Sequence, residues 1–416
     1  MTNANSKIRD VRMKGFASRS TVQQSWDWLD QQIVELSSET VSLESCCGRV
    51  LASDVTSRVD VPMFDRAMMD GYAVRAEDTA GATNYNQLSL QVIGQALPNQ
   101  PFDGSLGAKQ AVRIMTGSPV PSGANAVLPV EMTEGSHDTV SIHGEVAPKK
   151  HIGYRGEDIK QESLVFSKGR RLRPQDVGLL SSIGVGEVSV VRSPKVRIVV
   201  TGNELLPRGT VPTGFQIVDS NGPMLSALAR RDGAKVTDDS IVPDNKQAIL
   251  DAMRDDVDVV LISGGSSVGQ EDHAPRLLAE NGELAIHGVA MRPSSPSGMG
   301  RLDGRLVFLL PGNPVSCLCS YDFFAGRAIR SLAGRTTDWP YRITKMPLKR
   351  KLVSQVGRLD YARVAIEGDV VEPIAISGAS ILSSTTRADG FVIIADDSEG
   401  YPEGQLVDVY LYDEKN

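Results

Sequence analysis

The 416-residue chain is 41% hydrophobic and 23% charged, the make-up of a soluble globular protein, and its length calls for two to four cores rather than one. A formal net charge of −7 and the lack of aromatics interleaved with basic residues argue against nucleic acid as a partner. An acidic chain can still carry a locally positive pocket, so an anionic small ligand stays open.

No apolar leader precedes residue 30 and no stretch reaches the length of a membrane span, so a cytoplasmic protein with no membrane partner is expected. Thr21 and Gln24 have the spacing of a capping box, and Trp28, Leu29, Ile33 and Leu36 follow at helical intervals. A second helix is predicted over Leu43 to Ala52, with Cys46 and Cys47 as reduced thiols rather than zinc ligands. Beyond Pro62 the texture becomes β: Leu88, Leu90 and Val92 alternate, and short apolar runs follow at 111–115 and 126–130. Residues 61–154 therefore read as a β-rich module. Residues 155–192, with helical character over 174–183, are expected to return to the N-terminal helices.

The clearest pattern runs over 193–334. The aliphatic runs 196–200, 257–262 and 306–310 barely alternate, which suits strands buried on both faces. Between them, Asn221 and Pro223 can open a helix that stops at Gly233, and Asp244 can cap another with Ala248, Ile249, Ala252 and Met253 inward. Asn313–Pro314 opens a third, predicted to run to Gly334. Strand–helix alternation predicts a three-layer α/β domain with a mainly parallel sheet. The last segment, 341–416, lacks helical periodicity; Val407, Val409 and Leu411 alternate, and a β-barrel or sandwich is expected.

Ligands of such sheets bind beyond the carboxyl ends of the strands. All three predicted strands end in loops suited to that: Thr201–Gly202–Asn203–Glu204, Ser263–Gly264–Gly265 with Glu271 and Asp272 beyond, and Pro311–Gly312–Asn313–Pro314–Val315–Ser316. Glu204, Asp244 and Asp272 are hard oxygen donors that could hold Mg²⁺ beside a substrate phosphate; Asp244 serves equally as a helix cap, and Glu204 as a surface turn residue. In the β module, Asp65–Tyr72, Arg113–Gly117 and Arg155–Asp158 have the look of charged turns.

Taken together these stretches resemble the MoeA family, which includes the C-terminal E domain of gephyrin. The carriers are Asp60–Val61–Pro62–Met63–Phe64–Asp65, Met69–Asp70–Gly71–Tyr72–Ala73–Val74, Arg113–Ile114–Met115–Thr116–Gly117, Arg155–Gly156–Glu157–Asp158–Ile159, Ser263–Gly264–Gly265, Ser267–Val268–Gly269 and Leu310–Pro311–Gly312–Asn313–Pro314–Val315–Ser316. The resemblance implies four subdomains: an elongated N-terminal one of 1–60 with 155–192, the β module 61–154, a MogA-like α/β domain 193–334, and a C-terminal β-barrel 335–416. It implies a homodimer whose site forms where the α/β domain meets the partner's β module. The activity implied is Mg²⁺-dependent insertion of molybdate into adenylylated molybdopterin with release of AMP. A MogA-type adenylyltransferase and molybdoenzyme maturation proteins are the implied partners. Matched by motif, Asp70, Thr116, Asp158, Glu204, Asp244 and Asp272 take the catalytic positions, the last three also as metal ligands. Arg292, Ser295, Asn313, Ser316, Arg363 and Ser383, with Ser380 and Ser384 as alternatives to the last, take the oxyanion-binding positions.

Two departures stand out. The family's Lys-Pro-Gly-Lys-Pro is here Arg292–Pro293–Ser294–Ser295–Pro296, and its Thr-Gly-Asp-Glu is Thr201–Gly202–Asn203–Glu204. One cation becomes arginine, a second becomes a neutral serine, and one carboxylate is lost. They leave open a paralogue that binds pterin or oxyanion as carrier, scaffold or regulator.

Overall fold

The computed structural model describes residues 19–135, 137–265, 273–375 and 378–412, which form two compact units. One comprises the described residues of Thr40–Cys47 and Leu51–Val190; the other comprises the described residues through Glu39, Gly48–Val50 and those from Val191 on. Among the described residues no helix is long and apolar enough to cross a membrane.

The first unit is built on a six-stranded sheet, ordered Ala126–Pro129, Gly71–Val74, Gln110–Ile114, Leu88–Ala96, Thr139–Ile142, Thr133–Gly135. Its neighbours are antiparallel except Leu88–Ala96 with Gln110–Ile114. All four residues of Gly71–Val74 are buried because both faces are covered. Tyr72 and Val74 join one apolar cluster with Leu90 and Leu128, while Ala73 points into another with Val112 and Val127. A third cluster gathers Cys46, Leu51, Phe166, Leu180, Ile183 and Val188 around the helix Pro174–Ser182. That helix starts where Asp176 accepts from the Arg173 N–H and from the Arg170 guanidinium. The helix predicted over 43–52 is shorter than expected, Leu43–Cys46, because Gly48 takes φ +79 and turns the chain away.

In the second unit a seven-stranded sheet runs Lys235–Asp238, Lys195–Thr201, Val259–Ser263, Arg305–Leu310, Gly298–Leu302, Glu283–His287, with Ile241–Val242 beside Lys195–Thr201. The first four are parallel, Gly298–Leu302 runs against them, and Glu283–His287 pairs antiparallel with Gly298–Leu302. Successive side chains go to opposite faces: Leu261 and Phe308 to one core with Leu225 and Phe324, Val260 and Val307 to another with Ile249 and Leu278. The helices Asn221–Arg231 and Pro314–Ser320 therefore cover one face, and Lys246–Met253 and Ala274–Asn281 the other. Both-sided cover is why the strand sequences scarcely alternate.

Three details differ from expectation. Asn245, not Asp244, caps its helix, accepting from the Ala248 N–H at 2.9 Å. The helix from Pro314 passes through a π turn at Tyr321–Ala325 before ending at Leu332. The first helix, Val22–Gln32, begins with the predicted capping box but packs in this unit instead of joining 155–192: the Trp26 indole donates to the Phe323 carbonyl at 2.8 Å.

A buried ionic cluster fixes the two helices that carry the site loops. Asp232 accepts from Tyr321, Arg330 and Arg231, and Asp322 accepts from Tyr341 and Arg231. The C-terminal part is a six-stranded sheet ordered Met291–Arg292, Leu359–Glu367, Gly390–Ile394, Leu406–Leu411, Arg342–Pro347, with Val370–Ala375 against Leu359–Glu367. Met291–Arg292 joins it in parallel with Leu359–Asp360, so the sheet begins in the loop between Glu283–His287 and Gly298–Leu302.

Candidate functional site

The ends of the three central parallel strands touch. Gly264, at φ +96, lies so close to the strand before it that a Cβ there would sit 2.1 Å from the Thr201 carbonyl oxygen. Gly312 packs on Gly264 in turn. Asn221, the first residue of its helix, donates to the Ser263 hydroxyl at 2.9 Å and to the Gly312 carbonyl at 2.7 Å, tying the second loop to the third. Here the sequence expectation of three converging loops is met by named contacts.

Two of the three predicted metal carboxylates stand at this edge. Asp244 accepts from the Thr201 hydroxyl at 3.1 Å, and its release from capping leaves the rest of its carboxylate available. The Glu204 carboxylate is exposed and lies over Gly202. Asp272 lies outside the described residues, as do residues 266–271. Asp219, unremarked in the sequence reading, is buried here and accepts from the Gly222 N–H at 2.9 Å. Among the described residues no three His, Cys, Asp or Glu side chains are gathered as a metal cage. Cys317, below the loop, contacts the Ser263 hydroxyl at 3.7 Å; burial pushes its thiol up to about 12, so it is a neutral packing group.

Beside this edge opens a cavity of about 690 Å³, lined by Arg19, Arg292, Ser295, Asn313, Ser316 and Arg358 among others. Four of the six predicted oxyanion-binding residues are thus brought together. Arg292 pairs with the fully buried Asp360, which also takes the Ser354 hydroxyl at 2.6 Å and lies 3.3 Å from Arg358. Ser294 holds φ +92, a conformation that favours glycine, and its hydroxyl donates to the Ser316 carbonyl at 2.8 Å. Ser297 donates to the Ser320 hydroxyl at 2.8 Å, so a short serine ladder joins the 292–297 loop to the helix Pro314–Ser320. The Ser295 hydroxyl is buried with no hydrogen-bond partner among the described residues.

Two other predicted oxyanion positions fall elsewhere. Arg363 is fully buried in mid-strand and does not line the cavity. Ser383 is exposed at the start of the short helix Ser383–Thr386, again off the cavity; of that neighbourhood Gly378 and Ala379 line it instead. Arg358, five residues before Arg363, takes the wall position. The signal was available: Arg358 follows Gly357 in the turn, whereas Arg363 sits within a strand.

In the β module the three motif stretches also come together. Ala67 donates to Ser118, Gly117 to Ala67, Val120 to Asp65, and Met68 to His151, while Asp158 and Ile159 donate to the Val61 carbonyl. Asp70 accepts from the Thr116 N–H at 2.7 Å and from its hydroxyl at 2.8 Å. Those two bonds, the backbone one first, hold the Asp70 carboxyl below the usual carboxylate range. Asp70, Thr116 and Asp158 are all exposed, and Met63, Phe64, Met68 and Met115 are exposed apolar side chains on the same stretches.

Comparison with known proteins follows these features along the chain. Residues 20–184 match the model of the MoeA N-terminal region (domains I and II), residues 197–331 that of the "Probable molybdopterin binding domain", and residues 345–412 that of the MoeA C-terminal region (domain IV). The chain is 32% identical over 381 residues to the molybdopterin molybdenumtransferase of Staphylococcus aureus, covering 89% of this chain and 90% of that one. Two crystal structures of the molybdopterin biosynthesis MoeA protein of Pyrococcus horikoshii superpose with TM-scores of 0.81 and 0.79, at 32% and 31% identity. They cover 96% and 95% of this chain and 100% of each solved chain.

Proposed function

The chain belongs to the MoeA family of molybdenum cofactor biosynthesis, and from that premise we propose that it transfers molybdate onto adenylylated molybdopterin with Mg²⁺ and releases AMP. The observation carrying this reading is the cavity beside the α/β edge, where Arg292, Arg358, Asn313 and a buried, unpartnered Ser295 hydroxyl line one space. Guanidinium groups and hydroxyls suit a tetrahedral oxyanion, which needs donors from several directions and no acceptor.

The donors at the strand ends fit Mg²⁺ in kind: Glu204 and Asp244 are hard carboxylates, with the Thr201 hydroxyl beside the latter. Since the described residues form no complete cage, Mg²⁺ would keep water and substrate phosphate among its ligands. Bound there, it would supply Lewis-acid stabilisation of the charge that builds on the phosphoanhydride as AMP leaves. The chain's own work is positional. Asn221 and Gly264 keep the loops in register, and the serine ladder holds the cavity wall against the helix Pro314–Ser320.

Asp70, Thr116 and Asp158 enter the same proposal through a second copy. Exposed methionines and a phenylalanine around a fixed carboxylate are the features of a surface that another protein covers, and they support a homodimer in which this face meets the partner's α/β edge. The four-subdomain division, with Val22–Gln32 set apart from 155–192, belongs to the proposal too, supported by separate apolar clusters for 61–154 and for the C-terminal sheet. A bridge between Leu348 and Val371 supports closure of that sheet as a barrel.

Purified protein supplied with adenylylated molybdopterin, Mg²⁺ and molybdate should release AMP and form cofactor. Neither product appearing, while a control insertase works, would refute the activity. The neutral Ser295 and Asn203 favour one alternative, a carrier that holds the pterin without turnover. Calorimetry showing tight pterin binding in a preparation that releases no AMP would select it.

A further inference from the structure

Resting on that reading, we propose that Arg19 supplies the second cationic contact to the tetrahedral oxyanion, in place of the side chain that is a neutral serine at position 295. Arg19 lies one residue before the stretch that matches the family's N-terminal model.

The backbone brings three arginines to one locus. Ser20 donates to the Gly288 carbonyl at 3.1 Å and accepts from the Ala290 N–H at 2.8 Å, while the Ala290 carbonyl accepts from the Leu359 N–H at 3.0 Å. Ser20, Ala290 and Leu359 are therefore successive neighbours. Arg19 precedes the first, Arg292 follows the second by two residues, and Arg358 precedes the third. All three line the cavity. The segment carrying Arg19 is held on its other side by the capping box at Thr21 and Gln24 and by a helix whose Leu29 is fully buried. Only the side chain of Arg19 has to be ordered on binding.

Charge accounting points the same way. Asp360 is fully buried and lies against both Arg292 and Arg358, so those two guanidiniums and one carboxylate leave a single net positive charge at the wall. Among the described residues, Arg19 has no ion-pair or hydrogen-bond partner and no acidic side chain lines the cavity. Adding it gives two positive charges, which matches a dianion such as molybdate. Ser295, buried and unpartnered at its hydroxyl, can donate a hydrogen bond where a lysine would have donated charge.

The test is titration calorimetry of the full-length protein with sodium molybdate at low ionic strength, alongside inorganic phosphate as a second probe. Arg19→Ala should weaken molybdate binding about 10-fold, equivalent to ~1.4 kcal/mol, with unchanged melting because the side chain is exposed. Ser295→Lys placed in the Arg19→Ala background should restore affinity to within about 3-fold of the parent, since it returns the cation by another route. Unaltered molybdate affinity in Arg19→Ala would overturn the inference while leaving the insertase reading standing. A loss confined to phosphate would overturn the assignment of Arg19 to molybdate. Failure of the unsubstituted protein to bind molybdate at all would instead sink the oxyanion cavity itself, and with it the reading on which the inference rests.

Discussion

The cavity beside the strand ends and the Asp70–Thr116 surface are both assembled from motif loops, yet they are finished to different degrees. The cavity is concave and cationic, and the loops at its edge are locked by contacts under 3 Å between Asn221, Ser263 and Gly312. The Asp70 surface has an equally well-fixed carboxylate, held by two hydrogen bonds from Thr116, but the carboxylate itself is exposed and apolar side chains lie exposed nearby. On the proposed homodimer, order without enclosure is what a half-site would present. The first region would then carry its binding energy within the chain, and the second would be completed by the other copy.

Substitutions should separate the two regions. The largest effect is expected at the finished one: Gly264→Ala would drive a Cβ into the Thr201 carbonyl at positive φ, and should cost about 3 kcal/mol or more of stability together with turnover. Gly312→Ala is the control, since its Cβ would make an ordinary 3.6 Å contact with Gly264; equal damage from both would break the distinction. Asp70→Asn comes next. On its proposed role, turnover should fall roughly 100-fold with only a small drop in melting, since the exposed side chain gives up no more than its two hydrogen bonds from Thr116. A large drop in melting temperature would mean that the surface is structural.

Ser294 gives a smaller, signed effect. Ser294→Ala keeps the unfavourable φ and loses the hydrogen bond to Ser316, whereas Ser294→Gly loses the bond but relieves the backbone; denaturant melts should rank Gly above Ala by about 1 kcal/mol. The smallest effect concerns protonation. The Asp70 carboxyl is held below its ordinary value when folded, so its contribution is complete above the ordinary carboxylate range and is lost as pH falls through the depressed value. Thr116→Val removes the lesser of the two bonds, and a carboxyl NMR titration should find Asp70 shifted part of the way upward. No shift would show that the backbone bond alone accounts for the depression.

Much of this is legible in the amino-acid sequence itself. Unbroken aliphatic runs gave the both-sided parallel strands because burial on two faces removes the selection for alternation, and Gly-rich loops after each run located the edge. Local chemistry was less decisive where two neighbours compete for one role. Asp244 and Asn245 are both good caps, and only backbone geometry awards the position to Asn245 and frees Asp244. In the Gly357–Arg363 stretch two arginines carry the same chemistry, and strand pairing decides which one reaches the cavity. Arg19 was invisible to pattern reading, since its place depends on the pairing of Ser20 with residues 288–290, nearly 270 positions away in sequence.

The measurement that bears most directly on the whole account is activity in mixed dimers. Asp70→Asn and Asp244→Asn should each be inactive alone, both substitutions keeping shape and an acceptor oxygen. If each site draws Asp70 from one copy and Asp244 from the other, unfolding and refolding an equal mixture should recover roughly one quarter of the wild-type rate, because half of the dimers then carry one intact site. Mixed dimers that form, as seen by native mass spectrometry, and yet remain inactive would contradict a site shared between copies.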